Sequence, residues 1–184
     1  MENNFIIAGF GGQGVLLAGE VLANAFMIDD KNVTWYPSYG AEMRGGTVNC
    51  EIVMNPTEDV SSVNKAETDF IVALNQASFD RFLSKVKKGG WMIANSTLVK
   101  TLKPRADINY IFAPVSALAD KIGNVKMANI LSLGILAKIS RLVSLETLEK
   151  ALDIVIPPHR KNLLPLNIKA LKIGYEYEFS PIGV

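Results

Sequence analysis

The chain is poor in the residues that most metal and redox chemistry requires. Among its 184 residues there is one cysteine, Cys50, and one histidine, His159. A single thiol can form no internal disulfide, and it cannot supply a four-thiolate iron–sulfur or structural zinc site. Such sparse cysteine fits a reducing, cytoplasmic setting. His159 stands in Pro157-Pro158-His159-Arg160-Lys161, which reads as an exposed inter-helix turn. No second group is evident there to orient it as a general base, so it reads as solvated. Excess charge is missing as well. Lys plus Arg number 19 and Asp plus Glu 18, so no basic field argues for nucleic acid. Residues 5–28 are almost uncharged, but Gln13, Glu20, Asn24 and four crowded glycines disfavour a membrane span. Glu2-Asn3-Asn4 precede that stretch and the first basic residue is Lys31, unlike the basic start of a signal peptide. A buried strand and a mostly buried helix are expected instead.

What is present is a globular composition, 49% hydrophobic and 20% charged, of a length that predicts one domain over residues 1–184. Its N-terminal part carries the pattern with the clearest chemistry. The apolar run Phe5-Ile6-Ile7-Ala8 leads into Gly9-Phe10-Gly11-Gly12-Gln13-Gly14, and a long apolar segment starts at Val15. Strand, glycine turn and helix is the context that gives a G-x-G-x-x-G pattern meaning, and Gly9, Gly11 and Gly14 fill its three positions. Such a turn brings backbone close to a ligand and points the N–H groups of a helix N-terminus at an anion. The loop can equally be a tight turn for helix–sheet packing, or a subunit contact. Gln13 is expected to point into whatever the loop faces.

The helix is predicted over about Gly14 to Met27 and the second strand over Val33-Thr34-Trp35-Tyr36. A dinucleotide site would place an acidic residue at the end of that strand to bind ribose. Trp35-Tyr36-Pro37-Ser38 stand there instead, while Asp29 and Asp30 precede the strand. This absence argues against NAD. Pro37 to Gly46 reads as a loop of functional length with a Glu42/Arg44 pair. Glu42 and Arg44 can simply pair at the surface, but Arg44 facing a phosphate or a partner carboxylate is the favoured reading. From Thr47 to Met54 the pattern alternates, with Val48, Cys50, Ile52 and Met54 on one face, which suggests a strand near an edge or antiparallel to its neighbours. Cys50 reads as a small core residue.

Further strands are expected at Asp69–Leu74, Trp91–Asn95 and Ile108–Phe112. A helix through Phe79, Phe82, Leu83 and Val86 is expected to be ended by Lys87-Lys88-Gly89-Gly90. The final third reads as helical. Ser116 is expected to cap a short helix stopped at Gly123, and Met127 to Ile139 form an apolar helix containing Asn129. Buried there, Asn129 needs a hydrogen-bond partner, and a neighbouring loop is the expected one. A helix follows Ser144, and the last runs from about Asn162 to Glu176. Together these elements predict a three-layer α/β/α fold with a mixed, mostly parallel sheet of about six strands and a Rossmann-like start.

The segments Gly9–Val15 and Ser38-Tyr39-Gly40-Ala41-Glu42-Met43-Arg44-Gly45-Gly46, together with Asn129 and Gly134, resemble the gamma subunit of 2-oxoacid:ferredoxin oxidoreductases. Asn167, Ala170 and Gly174 resemble that family's closing helix. The resemblance implies an enzyme that converts a 2-oxoacid and coenzyme A to acyl-CoA and carbon dioxide, reducing ferredoxin, or runs the reverse. 2-Oxoglutarate is slightly preferred as substrate over pyruvate and branched-chain or aryl 2-oxoacids. It also implies thiamine diphosphate, Mg2+ and iron–sulfur clusters on partner alpha and beta subunits, with a ferredoxin-like delta subunit as a further candidate. The chain itself has no Gly-Asp-Gly motif for a diphosphate-bound magnesium ion. Its implied role is to help form a coenzyme A or subunit interface through Gly11, Gly12, Gln13, Gly14, Ser38, Tyr39, Glu42, Arg44 and Gly45. A stand-alone nucleotide- or flavin-binding oxidoreductase and a pure scaffold subunit are the competing readings.

Overall fold

The computed structural model describes residues 2–39, 47–60, 65–101 and 105–179. The apolar run at the N-terminus forms β1 (Asn3–Phe10), and the segment after the glycine loop forms α1 (Val15–Ile28). They are followed by β2 (Asn32–Tyr39), β3 (Thr47–Asn55), β4 (Thr68–Ala73), α2 (Gln76–Phe82), β5 (Val86–Asn95) and β6 (Asn109–Ala113). The remainder is helical: α3 (Val115–Lys121), α4 (Ala128–Ser140), α5 (Leu145–Val155) and α6 (Leu164–Glu176).

The sheet order is β2-β3-β1-β4-β5-β6. Strands β1, β4, β5 and β6 run parallel, while β3 is antiparallel to both β1 and β2. The mixed, mostly parallel expectation therefore holds. Strand period sorts side chains between two faces. Phe5, Ile7, Cys50, Ile52, Val72 and Ile93 face a large core shared with α1, α3, α4, α5 and α6. Ile6, Ala8, Ile71, Ala73 and Met92 face a smaller one closed by Phe79, Phe82 and Leu83 at α2. The three layers are thus unequal, one of the outer two being a seven-residue helix.

Local chemistry explains several boundaries. Ser144 accepts from Thr147 N at 3.0 Å and starts α5. Pro165 sits in the first turn of α6, where its missing N–H costs nothing. Helices α4 and α6 touch through Gly134 and Gly174, where a methyl on either would overlap a backbone oxygen of the other helix, Leu171 O or Leu131 O.

Three expectations need correction. Pro37 to Tyr39 are not loop but the end of β2, where Pro37 pairs opposite Cys50. Strand β2 is the sheet edge, which tolerates a residue without a donor. Lys87-Lys88-Gly89-Gly90 do not end a helix. A single 3-10 turn (Leu83–Lys85) ends α2, Val86 is already strand, and the pairing of β4 with β5 shifts register between Thr68 and Phe70. Gly89 with φ 78° takes the left-handed conformation that this bulge requires. Ser116 does not cap α3, because Pro114 occupies that position and Ser116 Oγ accepts from Asn95 Nδ2 at 2.8 Å. The ends of β1 and β2 share one rim, with β3 between them, Thr47 opposite Phe10 and Val48 opposite Tyr39. Among the described residues no helix is long and apolar enough to cross a membrane.

Candidate functional site

The glycine loop joins the end of β1 to α1 at the C-terminal rim of the parallel strands. Gln13 N donates to Phe10 O at 3.1 Å and closes the turn. Gly12 has φ 95° and Gly14 φ 72°, left-handed values that favour glycine at both positions. Gly14 is the N-cap of α1 and provides no side-chain acceptor, so the first turn of the helix has no capping side chain. Around Gly12 the space is open, whereas a methyl at Gly14 would run into the Asn129 carboxamide.

Asn129 lies in α4, and its Nδ2 donates to Gly14 O at 2.8 Å. This is the loop contact that its place in an apolar helix predicts. Asn167 in α6 donates from Nδ2 to Leu163 O at 2.8 Å. The other carboxamide atom of each residue, Oδ1, is buried without a hydrogen-bond partner in the protein. Both residues line a cavity of about 890 Å³, together with Phe10, Gly11, Gly12, Gly14, Leu16 and Val48. Lys126 and Arg160, both exposed, stand at the same cavity. Its lining therefore combines the start of α1 and two cations with two asparagines whose Oδ1 atoms are buried and unpartnered. Such a space suits a ligand carrying both anionic groups and N–H or O–H donors.

The predicted site residues divide into groups. Gly11, Gly12 and Gly14 line this cavity. Gln13 does not point into it. Its Oε1 accepts from Phe10 N at 2.6 Å and from Asn75 Nδ2 at 3.0 Å, and its Nε2 approaches Leu74 O at 3.4 Å. The side chain has turned back across the loop toward the end of β4. Ser38 lines a separate cleft of about 470 Å³ with Tyr36, Asn49, Glu51, Arg81 and Lys85. Strand alternation puts that cleft on the α2 face, opposite Val48 and the glycine-loop cavity. Tyr39 ends β2 opposite Val48. Glu42, Arg44 and Gly45 lie outside the described residues. Sequence reasoning missed Lys126 and Arg160, which sit in turns. It noticed Asn167 only through the family resemblance.

Cys50 and His159 take no part. Cys50 is buried, and burial pushes its thiol up to about 12. His159 is exposed in the 3-10 turn before α6. Among the described residues, no group of three or more His, Cys, Asp or Glu could hold a metal ion.

Comparison with known proteins gives consistent findings. Residues 4–177 match the family described as pyruvate ferredoxin/flavodoxin oxidoreductase. The chain is 34% identical to the 2-oxoglutarate synthase subunit KorC of Methanocaldococcus jannaschii, over 96% of this chain and 94% of that protein. It is 35% identical to the ketoisovalerate oxidoreductase subunit VorA of Methanothermobacter thermautotrophicus, over 93% of this chain but 35% of that longer protein. Among solved structures, the keto/oxoacid ferredoxin oxidoreductase gamma subunit of Geobacter sulfurreducens superposes with a TM-score of 0.83 at 29% identity. That match covers 96% of this chain and 95% of the other.

Proposed function

We propose a coenzyme A site on this chain, which belongs to the pyruvate ferredoxin/flavodoxin oxidoreductase family and is a gamma-type subunit of a 2-oxoacid:ferredoxin oxidoreductase. Membership makes it one subunit of an oxidoreductase and not a complete catalyst. The complete enzyme oxidatively decarboxylates a 2-oxoacid with coenzyme A, giving acyl-CoA and carbon dioxide and reducing ferredoxin. Thiamine diphosphate, Mg2+ and the iron–sulfur clusters belong in this reading to partner alpha and beta subunits, with a ferredoxin-like delta subunit as a further candidate. 2-Oxoglutarate is the first substrate to try, since a relative covered almost end to end is a 2-oxoglutarate synthase subunit. The similarity to a ketoisovalerate oxidoreductase subunit makes 2-oxoisovalerate the second.

The observation that carries this reading is that Asn129 and Asn167, each with a buried and unpartnered Oδ1, line one cavity with Lys126 and Arg160. A buried acceptor without a donor costs about 1–3 kcal/mol, so a ligand that supplies a donor recovers that cost. Coenzyme A carries phosphates for Lys126, Arg160 and the start of α1, and amide N–H groups for the two oxygens. No general base is needed here, because the chain binds the acyl acceptor while bond breaking occurs on its partners. Glu42, Arg44 and Gly45 lie outside the described residues, and Arg44 stays a candidate for meeting a phosphate or a partner carboxylate.

Co-expression with the partner subunits, followed by ferredoxin reduction assays, tests the function. Activity dependent on 2-oxoacid, coenzyme A and this chain supports it. A complex lacking the chain that kept full activity and unchanged coenzyme A affinity would refute it. Tight binding of NADH or FMN by the isolated chain would favour a stand-alone oxidoreductase instead.

A further inference from the structure

In open α/β sheets the ligand crevice forms where the crossover helices change faces. Here that point lies between β1 and β4, because α1 packs into the large core while Phe79 and Phe82 of α2 pack into the small one on the other face. The crevice is occupied by the Gln13 side chain. Its oxygen accepts from Phe10 N (2.6 Å) and Asn75 Nδ2 (3.0 Å), and its nitrogen approaches Leu74 O (3.4 Å).

The anchors on the β4 side are themselves fixed. Asn75 Oδ1 caps α2 by accepting from Ser78 N at 2.9 Å. Leu74 N donates to Ala8 O at 2.9 Å, and Leu74 O also accepts from Asn95 Nδ2 at 3.1 Å. Asn75 and Asn95 are both buried. The chain also makes room for the inward turn. A methyl at Gly9 would stand 2.7 Å from Gln13 Oε1. Gly12, by contrast, has nothing within 4 Å of where a methyl would be. The loop tip is therefore tethered through Gln13 on one side and through Asn129 at Gly14 on the other.

From this geometry we infer that Gln13 is a positioning residue: its carboxamide locks the glycine loop against the end of β4 and thereby sets the coenzyme A side of the loop. The inference rests on the coenzyme A reading above. Only a carboxamide offers an acceptor to two N–H groups and a donor to Leu74 O at once. A carboxylate of the same shape would set an oxygen against that carbonyl. Holding the loop before the ligand arrives spares the ordering cost on binding. The same side chain fills the crevice that a dinucleotide would otherwise enter.

The test uses the co-expressed complex with Gln13→Ala, Gln13→Glu and the volume-keeping Gln13→Met. Each is expected to raise the KM for coenzyme A about tenfold, the loss of roughly one or two hydrogen bonds. The kcat at saturating coenzyme A, the KM for the 2-oxoacid and subunit content stay unchanged, and the melting temperature falls by no more than a few degrees. An unchanged KM for coenzyme A in these variants, beside a raised KM in Lys126→Ala and Arg160→Ala, overturns the inference and leaves the coenzyme A site standing. Unchanged KM in all five overturns the coenzyme A site itself. Losses in kcat, in 2-oxoacid KM or in assembly, or failure of both Gln13→Ala and Gln13→Met to fold, make Gln13 a structural residue only and also overturn the inference.

Discussion

On the β4 side of the glycine loop, the carboxamides of Gln13, Asn75 and Asn95 each make bonds through both of their polar ends. Asn95, for instance, donates to Leu74 O and Ser116 Oγ while Ser116 N donates back to its Oδ1 at 3.4 Å. On the α4–α6 side, Asn129 and Asn167 use only their nitrogens and leave buried oxygens unpaired. The same functional group is therefore saturated on one side of the loop and half-used on the other. Native interiors pair most buried polar atoms, and each exception calls for an account. The difference teaches that one side is scaffold and the other is built to meet something from outside the chain.

The comparison can be broken most severely where α4 and α6 touch. Gly174→Ala would drive a methyl into Leu131 O and push apart the helices that carry Asn129 and Asn167. Overpacking of this kind is expected to cost about 3 kcal/mol, read as a lower urea midpoint with unchanged slope, and to weaken coenzyme A use with it. A sharper contrast comes from treating the two sides alike. Asn75→Leu removes a cap and the Gln13 anchor and is expected to cost about 2 kcal/mol. Asn167→Leu removes an already unpaired acceptor and one donor bond to Leu163 O, so its effect on stability should stay within about 1 kcal/mol while coenzyme A KM rises. Equal stability losses in the two variants would erase the distinction.

The smallest effect is a control away from both sides. The Cys50 thiol, pushed up to about 12 by burial from an ordinary 9.0, stays protonated in the fold after it would ionise in the unfolded chain. The unfolded state then binds fewer protons, so this contribution is complete below pH 9.0 and is lost between there and about pH 12. At pH 10 the loss is about 1 kcal/mol relative to a Cys50→Ala chain, measurable by urea titration of both proteins across that range. The native thiol should also resist alkylation until the chain unfolds.

Much of this arrangement is legible in the sequence because local rules dominate there. The strand–glycine–helix start, Ser144 as a cap, Pro165 in a first turn and the alternation of β3 all follow from short-range chemistry. Asn129 also declares its need for a partner, since a carboxamide in an apolar helix must find one. What escapes is set by distant pairing. Lys87 to Gly90 carry helix-stop residues, yet Val86 already pairs with Thr68 and the glycines serve a bulge. Gln13 turns inward because Leu74 and Asn75, 61 and 62 residues away, present a carbonyl and an amide to it. Lys126 and Arg160 line one cavity with the glycine loop from the turns that precede α4 and α6. No periodicity announces a lysine and an arginine from two separate turns that line one cavity.

The central claim is that the half-satisfied side of the loop receives coenzyme A. Equilibrium dialysis of labelled coenzyme A against the assembled complex, wild type beside a Lys126→Ala/Arg160→Ala double variant, tests it most directly. At least a roughly tenfold weaker Kd is expected in the double variant, with subunit content and 2-oxoacid KM unchanged. Equal coenzyme A affinity in the two complexes would contradict it.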